Sequence, residues 1–283
     1  MGLDMVVLVK QVPDTTNVTE EAMKPDGTVN REALPAIMNP EDLNALEEAL
    51  VIQEKLGGSI TALTMGPPKA VEVLRECLFR GADRGILLSD KKFAASDTLA
   101  TSYALMCAVK TLEHYDLILC GRQAIDGDTA QVGPQLAEKL KLNQLTNVLE
   151  ITEVSLESIT VKRGIESGFE VVQAELPLLL TVNAKANVPR PPKAKKVMAL
   201  KHAVCGEGVS TGASARSGGS CLAQWDHASI GADEALCGLS GSATKVKKVE
   251  SVVLKARDVR RVDNTEQGIG ELVQELIADH ILG

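Results

Sequence analysis

The stretch YDLILCGRQAIDGDTAQVGPQLAEKL (residues 115–140) carries the pattern that decides the fold, an apolar run that passes through a polar loop into a helix-like repeat. Its first part, YDLILCG (115–121), is a continuous apolar run typical of a strand buried on both faces. Its last part extends into TAQVGPQLAEKLKL (129–142) and predicts a helix interrupted at Gly133-Pro134. A strand, a loop and a helix in this order make a βα unit, from which parallel sheets are built.

The same alternation of strand-like and helix-like segments runs back to the start of the chain. The first long helix is predicted to begin with Asn39 as its N-cap and Pro40 at its first position, and to end at Gly57-Gly58. The predicted strands are residues 5–12, 59–67, 84–90 and 115–121, and the predicted helices are residues 39–58, 68–83, 96–112 and 129–142. Such units predict an α/β fold with a doubly wound, mostly parallel sheet, Rossmann-like and suited to an adenine nucleotide.

The pattern changes after residue 148. The segments ITEVSLESITVKR and GFEVVQAELPLLLTV predict antiparallel strands that complete or flank the sheet. We therefore predict a nucleotide-binding domain over residues 1–182 and, over residues 183–283, an extended C-terminal arm and helix that contact a partner subunit. The arm contains a Pro- and Lys-rich start, a flexible Gly/Ser stretch at 206–220 and a helix over 266–282. The predicted apolar face of that helix consists of Ile269, Leu272, Val273, Leu276 and Ile277.

The composition narrows the classes of function. The net charge of −8 argues against a general nucleic-acid binder, because clustered Lys and Arg are needed to neutralise phosphates. The 2% of aromatic residues argues against a surface that stacks single-stranded bases. No apolar run approaches the roughly 20 residues of a membrane span, and the start of the chain lacks the features of a signal peptide. We expect a cytoplasmic protein that binds neither nucleic acid nor membrane.

The cysteines are Cys77, Cys107, Cys120, Cys205, Cys221 and Cys237. The first three lie in apolar helix or strand patterns, where a free thiol behaves as a small hydrophobic group. The last three share a polar segment with two histidines, so zinc or an iron–sulfur cluster is an alternative, although close pairs of ligands are missing. The favoured interpretation is a reduced protein with no metal site.

Ligands of parallel sheets bind beyond the carboxyl ends of the strands, so five segments are expected to converge. In the loop GRQAIDGDTAQ (121–131), Asp126 and Asp128 are suited to ribose hydroxyls, and Gly127 lets the backbone approach a nucleotide closely. A capping box of Asp128 with Gln131 explains the same residues, and spacing alone leaves both interpretations open. The five converging segments begin at Lys10, Asn39, Met65, Asp90 and Gly121.

Other chemistries find little support in the sequence. No Walker loop and no GxGxxG follows a strand, and no GxSxG motif is present. The histidines at 114, 202, 227 and 280 are all expected outside the crevice. Acid–base work by Asp126 and Asp128 is disfavoured, because a helix N-terminus stabilises ionised carboxylates and suits a base or an acceptor better than an acid.

Several stretches, taken together, resemble the beta subunit of electron-transferring flavoprotein over most of the chain. They are VKQVPDT (9–15), MNP (38–40), TMGPP (64–68), RGADRGILLSD (80–90), GRQAIDGDTAQVGP (121–134) and VKRGIESGFEVVQAELPLLLT (161–181). The last nearly matches the family signature, with Ser167 where an acidic residue or Gly is usual. FAASDTLATS (93–102) and GDTAQVGP (127–134) resemble the electron-bifurcating branch of the family.

The resemblance implies a heterodimer with an alpha subunit that carries an electron-shuttling FAD. In the bifurcating branch the beta subunit binds a second FAD, which takes a hydride from NADH and sends one electron through the alpha-subunit FAD to a partner dehydrogenase and the other to ferredoxin or flavodoxin. In the housekeeping branch the beta subunit binds a structural AMP instead. We therefore predict FAD, with AMP as the alternative, NAD(H) as electron donor, and no catalytic side chain, since the flavin supplies the chemistry.

The resemblance also assigns binding residues. Those matched to the AMP half of the nucleotide are Leu8, Asn39, Pro40, Asp42, Met65, Gly121, Arg122, Gln123, Ala124, Ile125, Asp126, Gly127, Asp128, Thr129, Ala130, Gln131 and Val132. Those matched to the flavin ring and NADH are Phe93, Ala94, Ala95, Ser96, Asp97 and Thr98. Lys10 and Gly66 complete the predicted site from the ends of the first two strands.

Two differences from the family pattern affect the prediction of the partner dehydrogenase. After Thr181 the family has a longer loop whose leucine anchors on acyl-CoA dehydrogenases, and here that loop is several residues short. The segment 205–237 is also unusual for the family. The expected partner is therefore a flavin-dependent dehydrogenase of lactate dehydrogenase type, with the acyl-CoA dehydrogenase type as the alternative. The basic residues in SGSATKVKK (240–248) are interpreted as a solvated face, or alternatively as a contact with the alpha subunit.

Overall fold

The computed structural model describes residues 2–14, 34–206, 221–245, 261–278 and 282. The strands are β1 (Leu3–Leu8), β2 (Gln11–Pro13), β3 (Ala36–Met38), β4 (Gly58–Met65), β5 (Arg84–Leu88), β6 (Leu117–Gly121), β7 (Asn143–Val154), β8 (Ser158–Ile165), β9 (Gly168–Glu175), β10 (Leu178–Val182) and β11 (Leu222–Trp225). The α-helices are α1 (Pro40–Leu56), α2 (Val71–Arg80), α3 (Thr98–Thr111), α4 (Val132–Leu140), α5 (Ala194–Leu200), α6 (Gly238–Gly241) and α7 (Glu266–Ala278). The predicted alternation over the first half of the chain is confirmed.

Nine of the strands form one sheet in the order β11-β5-β4-β1-β6-β10-β7-β8-β9. The pairs from β11 to β7 are parallel, and β7, β8 and β9 pair antiparallel. From β1 the chain winds outward through β4 and β5, then returns to place β6 on the other side of β1. The strand order therefore reverses between β1 and β6, and at such a point an open α/β sheet has its ligand crevice.

Helices cover both faces of the parallel part of the sheet. Side chains of α1 and α2, such as Leu46 and Leu74, pack in one buried cluster, whereas α3 and α4 contribute Leu105 and Leu136 to another. The apolar character of strands such as β6, all five residues of which are buried, follows from this double coverage. The predicted doubly wound, mostly parallel α/β fold is confirmed.

Two predicted boundaries at the ligand edge are wrong. The apolar run 5–12 is not one strand, because β1 ends at Leu8 and residues Gln11–Pro13 pair instead with Ala36–Met38 in a separate two-stranded sheet. The fourth helix begins at Val132 and not at residue 129, because Ala130 has a left-handed φ of 54°.

The helix α4 is also continuous through Gly133-Pro134, where an interruption was predicted. Proline within the first turn does not remove a hydrogen bond that the helix would otherwise make, since the first four N–H groups have no intrahelical acceptor. Pro134 is the third residue of α4 and is therefore tolerated there.

The second half of the chain differs from prediction in two strands. The segment 168–182 forms two strands, and the second, β10, inserts in parallel between β6 and β7. The edge strand β11 pairs in parallel with β5 and lies in the part of the chain predicted as an arm. With only four residues, LAQW, it offers too short a pattern to be recognised.

The C-terminal helix α7 is described to Ala278, short of the predicted end at residue 282. The predicted apolar face is largely exposed, with Ile269 and Ile277 about half accessible. Most of the Gly/Ser stretch at 206–220 and the lysines at 246–248 lie outside the described residues. Among the helices that are described, none combines the length and the apolar character needed to cross a membrane.

Candidate functional site

Asp42 joins the ends of the two strands between which the sheet reverses. Its carboxylate accepts hydrogen bonds from the backbone N–H of Lys10, after β1, at 2.8 Å and from that of Gly121, at the end of β6, at 3.0 Å. The side chain is buried, and burial raises the pKa of Asp42 to about 7 against the opposing effect of these donors. Asp42 was predicted to contact a nucleotide, and the structure places it beneath the loops, where it holds them together.

Asn39 holds the loop that follows β6, residues 121–131, which we call the β6 loop. Its amide Nδ2 donates to the carbonyl oxygen of Gln123 at 2.9 Å, and its Oδ1 accepts from the N–H of Ile125 at 3.1 Å. Asn39 occupies the N-cap position of α1, as predicted, but its side chain makes no capping bond to the helix. Pro40 is the first residue of α1, as predicted.

Glu41 fixes the same loop and was missed by the sequence analysis. Its carboxylate accepts from the N–H of Gln123 at 2.8 Å and lies 3.3 Å from the guanidinium of Arg122. The first turn of α1 and the β6 loop thus form one hydrogen-bonded unit, since Asn39, Glu41 and Asp42 all bond to it.

The crest of the β6 loop, residues 126–130, is open to solvent. Asp126 pairs with Lys10 at 2.7 Å, and Asp128 accepts from the side chain of Gln123 at 2.9 Å. The predicted capping box of Asp128 with Gln131 is therefore wrong. Gly127 has an ordinary φ, and an added Cβ there would meet no atom within 4 Å.

Left-handed backbone at the crest exposes N–H groups. The φ angles are 48° at Asp128 and 54° at Ala130. Within the described part of the chain, the N–H groups of Thr129 and Ala130 donate to no other atom. Successive backbone N–H groups in such conformations form concave sites that bind anions such as phosphates. The two N–H groups are therefore suited to bind the phosphate or diphosphate of an adenine nucleotide.

The loop after β5, residues 90–98, lies beside the β6 loop, and we call it the β5 loop. Phe93 is buried in the core below it, Ala94 is exposed, and Ala95 has a left-handed φ of 59°. Asp97 caps α3 by accepting from the N–H groups of Leu99 and Ala100, each at 3.0 Å.

A side-chain bond connects the two loops. The hydroxyl of Thr98 donates to Oε1 of Gln131 at 2.8 Å, which joins the start of α3 to the start of α4. Ser96 bonds instead within its own loop, to the carbonyl of Phe93 at 2.8 Å. The residues predicted for the two halves of a dinucleotide therefore form one continuous rim.

The other predicted site residues line the floor of this rim. Leu8 is buried at the end of β1, and Met65 is half-buried at the end of β4. Gly66 donates its N–H to the carbonyl of Leu88 at 3.0 Å. Val132 begins α4 and packs against the buried cluster on the α3 face.

One histidine lies at the crevice, contrary to the prediction that none does. The ring Nδ1 of His227 is 2.6 Å from Oδ2 of Asp90, at the start of the β5 loop. The strand β11 brings it there, because pairing with β5 ends at Trp225 opposite Leu88. The missed strand is therefore the reason for the missed histidine.

The cysteines are free thiols in the structure. Cys237 is buried in the cluster on the α3 face, while Cys205 and Cys221 pack against the opposite cluster. Among the described residues, no three His, Cys, Asp or Glu side chains come together in a way that suits a metal ion.

The fold is that of a doubly wound α/β protein, a class in which ligands bind at the reversal of the strand order. The family model described as "Electron transfer flavoprotein domain" matches residues 26–205. The chain belongs to the beta-subunit family of electron transfer flavoproteins.

Its relatives cover it almost completely. It is 39% identical over 280 residues to the electron transfer flavoprotein subunit beta of Clostridium acetobutylicum, covering 99% of this chain and 100% of that protein. It is 40% identical over 294 residues to the protein of the same name from Megasphaera elsdenii, with 99% and 100% covered. It is 40% identical over 280 residues to the caffeyl-CoA reductase-Etf complex subunit CarD of Acetobacterium woodii, with 98% and 99% covered.

Proposed function

We propose that this chain is the beta subunit of a cytoplasmic, electron-bifurcating flavoprotein heterodimer and that it binds FAD along the β6 and β5 loops. FAD, when bound, accepts a hydride from NADH and passes the electrons on singly, one toward ferredoxin or flavodoxin and one through the alpha-subunit FAD to a partner flavin dehydrogenase. The side chains and backbone of this subunit bind and orient the nucleotide.

The β6 loop supports the nucleotide half of the proposal. The N–H groups of Thr129 and Ala130 would hold phosphate oxygens, and the open face at Gly127 leaves room for close approach. Lys10, half-exposed and paired with Asp126, lies at the same rim. The bonds from Asn39 and Glu41 fix the loop before any ligand arrives, so little ordering accompanies binding.

The observation that carries the proposal of a dinucleotide is the bond between Thr98 and Gln131. It continues the rim from the β6 loop into the β5 loop at 2.8 Å, so a ligand longer than AMP would have a built surface beyond its phosphates. The exposed residues Ala94 and Ala95 belong to that surface. A flavin ring there would be accessible to NADH from solvent.

The relatives support pairing with an alpha subunit and with a redox partner, but not the type of dehydrogenase, which is inferred from the loop after Thr181. Electron transfer flavoprotein beta subunits pair with an alpha subunit, and the Acetobacterium woodii relative is named for a complex with a reductase that acts on a CoA ester. We propose a partner of lactate dehydrogenase type, because the chain runs from Thr181 into its arm without the longer family loop. Copurification with an acyl-CoA dehydrogenase, together with NADH-driven reduction of enoyl-CoA, would contradict that choice.

The second candidate is a subunit that holds structural AMP while the alpha subunit alone carries electrons. The β6 loop is compatible with this AMP-binding alternative, because its fixed crest, Lys10 and the open Gly127 are sufficient for a mononucleotide. Under this alternative the β5 loop has no role in binding.

An anaerobic NADH titration of the heterodimer tests the proposal. NADH should bleach the flavin absorbance of the wild-type complex. A graded series, Gly127→Ala and Gly127→Val, should lower the retained flavin progressively, because each added carbon enters the space left open at the crest. Flavin content that is unchanged in Gly127→Val would mean that the nucleotide does not approach this loop.

A further inference from the structure

Residues 226–244 follow β11 and run along the β5 loop, and we call them the clamp. Trp225 and Ile230 pack with Phe93 in the core beneath the loop. The clamp then contacts the loop at its start, its middle and its end. This arrangement is separate from the β6 loop, which is held by α1.

At the start of the loop, His227 lies between two carboxylates. Its Nδ1 is 2.6 Å from Asp90 of the loop and its Nε2 is 3.0 Å from Glu234 of the clamp. Glu234 in turn pairs with Lys92 of the loop. Both ring nitrogens face acceptors, so both bonds exist together only when the imidazole carries two protons.

In the middle, the backbone of the clamp touches the backbone of the loop. A Cβ added at Gly238 would lie 2.3 Å from the carbonyl oxygen of Lys92 and 2.9 Å from that of Ala94. Gly238 also has a left-handed φ of 54°. Only glycine permits an approach this close in this conformation.

At the end of the loop, Ser242 and Thr244 hold Asp97. The Oγ of Ser242 accepts from the N–H of Asp97 at 2.8 Å and donates to the carbonyl of Gly238 at 2.7 Å. The second carboxylate oxygen of Asp97 accepts from the N–H of Thr244 at 2.8 Å and from its hydroxyl at 3.0 Å.

We propose that the clamp positions the β5 loop and that His227 and Ser242 are its positioning residues. The clamp then sets the geometry of hydride transfer and does not itself hold the nucleotide. The inference rests on the proposed function for the role of the loop. A β5 loop released from the clamp would still leave the β6 loop intact, so FAD would remain bound but its ring and NADH would lose their alignment. A displacement of about 1 Å in such an alignment is enough to lower a rate roughly a hundredfold.

The imidazolium gives the clamp a pH dependence. The charged groups that face His227 are Asp90 and Lys92 of the loop and Asp226 and Glu234 of the clamp. The hydrogen bond to Asp90, together with these carboxylates, raises the pKa of His227 above its usual value. A raised histidine pKa stabilises the clamped form at low pH, and that contribution is lost as pH rises through the folded-state pKa.

Hydrogen exchange of the purified heterodimer tests the clamp independently of any activity. The amides of Phe93 and Ala94 donate within the loop, to Asp90 and Lys91, so their exchange reports the loop's own conformation. Ser242→Ala and His227→Gln should accelerate exchange there at least tenfold. The matched control is Ser229→Ala, because among the described residues the Ser229 hydroxyl bonds to Asp226 within the clamp, and its loss should leave exchange unchanged.

NADH bleaching then separates positioning from binding. We expect Ser242→Ala and His227→Gln to retain wild-type FAD content with a maximal bleaching rate lowered about tenfold. The bleaching rate of the wild-type heterodimer should fall as pH rises through the pKa of His227. Ser242→Ala should show the same decrease with pH, whereas the rate of His227→Gln should not depend on pH in this range.

The two proposals fail in different ways. Unchanged exchange at Phe93 and Ala94 in both variants, or FAD lost in proportion to rate, would overturn the clamp. A wild-type heterodimer that NADH does not bleach would overturn the proposed function, while the exchange result would still decide whether the clamp holds the loop.

Discussion

Replacement of Gly121 by alanine should be a costly single-methyl change. The added Cβ would lie 2.5 Å from Oδ1 of Asp42 and 2.8 Å from the backbone and Cβ of Glu41. The first turn of α1 would have to move away from β6. Overpacking of this kind costs about 1–3 kcal/mol. The bond from the Gly121 N–H to Asp42, at 3.0 Å, would also be stretched, at about 1 kcal/mol or more.

The sum is about 3 kcal/mol of unfolding free energy, after allowance for the roughly 0.4–1 kcal/mol that a Gly→Ala change gains through the unfolded chain. Denaturant titration of the subunit measures it. The control is Gly127→Ala, six residues further along the same loop, where the added Cβ would meet no atom within 4 Å. This variant should change the free energy of unfolding by less than about 0.5 kcal/mol. Equal stabilities for the two variants would refute the claim that Asp42 and Glu41 pack against the end of β6.

Three further predictions concern the same region and the arm. Burial raises the folded-state pKa of Asp42 to about 7, whereas an unfolded Asp releases its proton near pH 4. Between about pH 4 and pH 7 the folded state therefore binds more protons than the unfolded state. The free energy of unfolding should fall as pH rises through this range, by at most about 1.4 kcal/mol per pH unit. Asp42→Asn should remove that slope in pH-dependent urea unfolding. Asn39→Ala frees the β6 loop and should weaken FAD or AMP binding about tenfold in equilibrium dialysis. Arg190→Met should cost about 2 kcal/mol in thermal unfolding, because the buried Glu47 loses the donors Nε and Nη2 of Arg190 and keeps the backbone N–H of residue 190.

Each of these has a contrary result. An identical pH slope for wild type and Asp42→Asn would show that Asp42 titrates alike in both states. Unchanged nucleotide affinity in Asn39→Ala would show that the loop keeps its form without the α1 bonds. An Arg190→Met variant as stable as wild type would show that the arm is held to α1 by other contacts.

The parallel half of the fold was predictable because its strands are mainly apolar and because helices such as α1 carry local end signals. Gly57, with a φ of 76°, ends α1 where the sequence predicted. The β10 strand was misassigned because its pairing is set by neighbours distant in sequence, which a local pattern does not record. The same reason applies to β11.

The sequence predicted which loops form the candidate site, but it predicted less well what the individual side chains of those loops bind. Loops after parallel strands must meet at one edge, so the grouping of Lys10 with Asp126 followed from topology alone. The roles of Asn39 and Asp128 were assigned to helix capping, since capping is the commonest local use of such residues. In the structure Asn39 bonds from α1 to the β6 loop, and Asp128 bonds to Gln123 within that loop.

The nucleotide content of the purified heterodimer tests the central claim most directly. Acid-released nucleotides, separated and counted per heterodimer, should give two FAD and no AMP if this chain binds the flavin that NADH reduces. One FAD and one AMP per heterodimer would contradict the account and assign the chain a structural nucleotide.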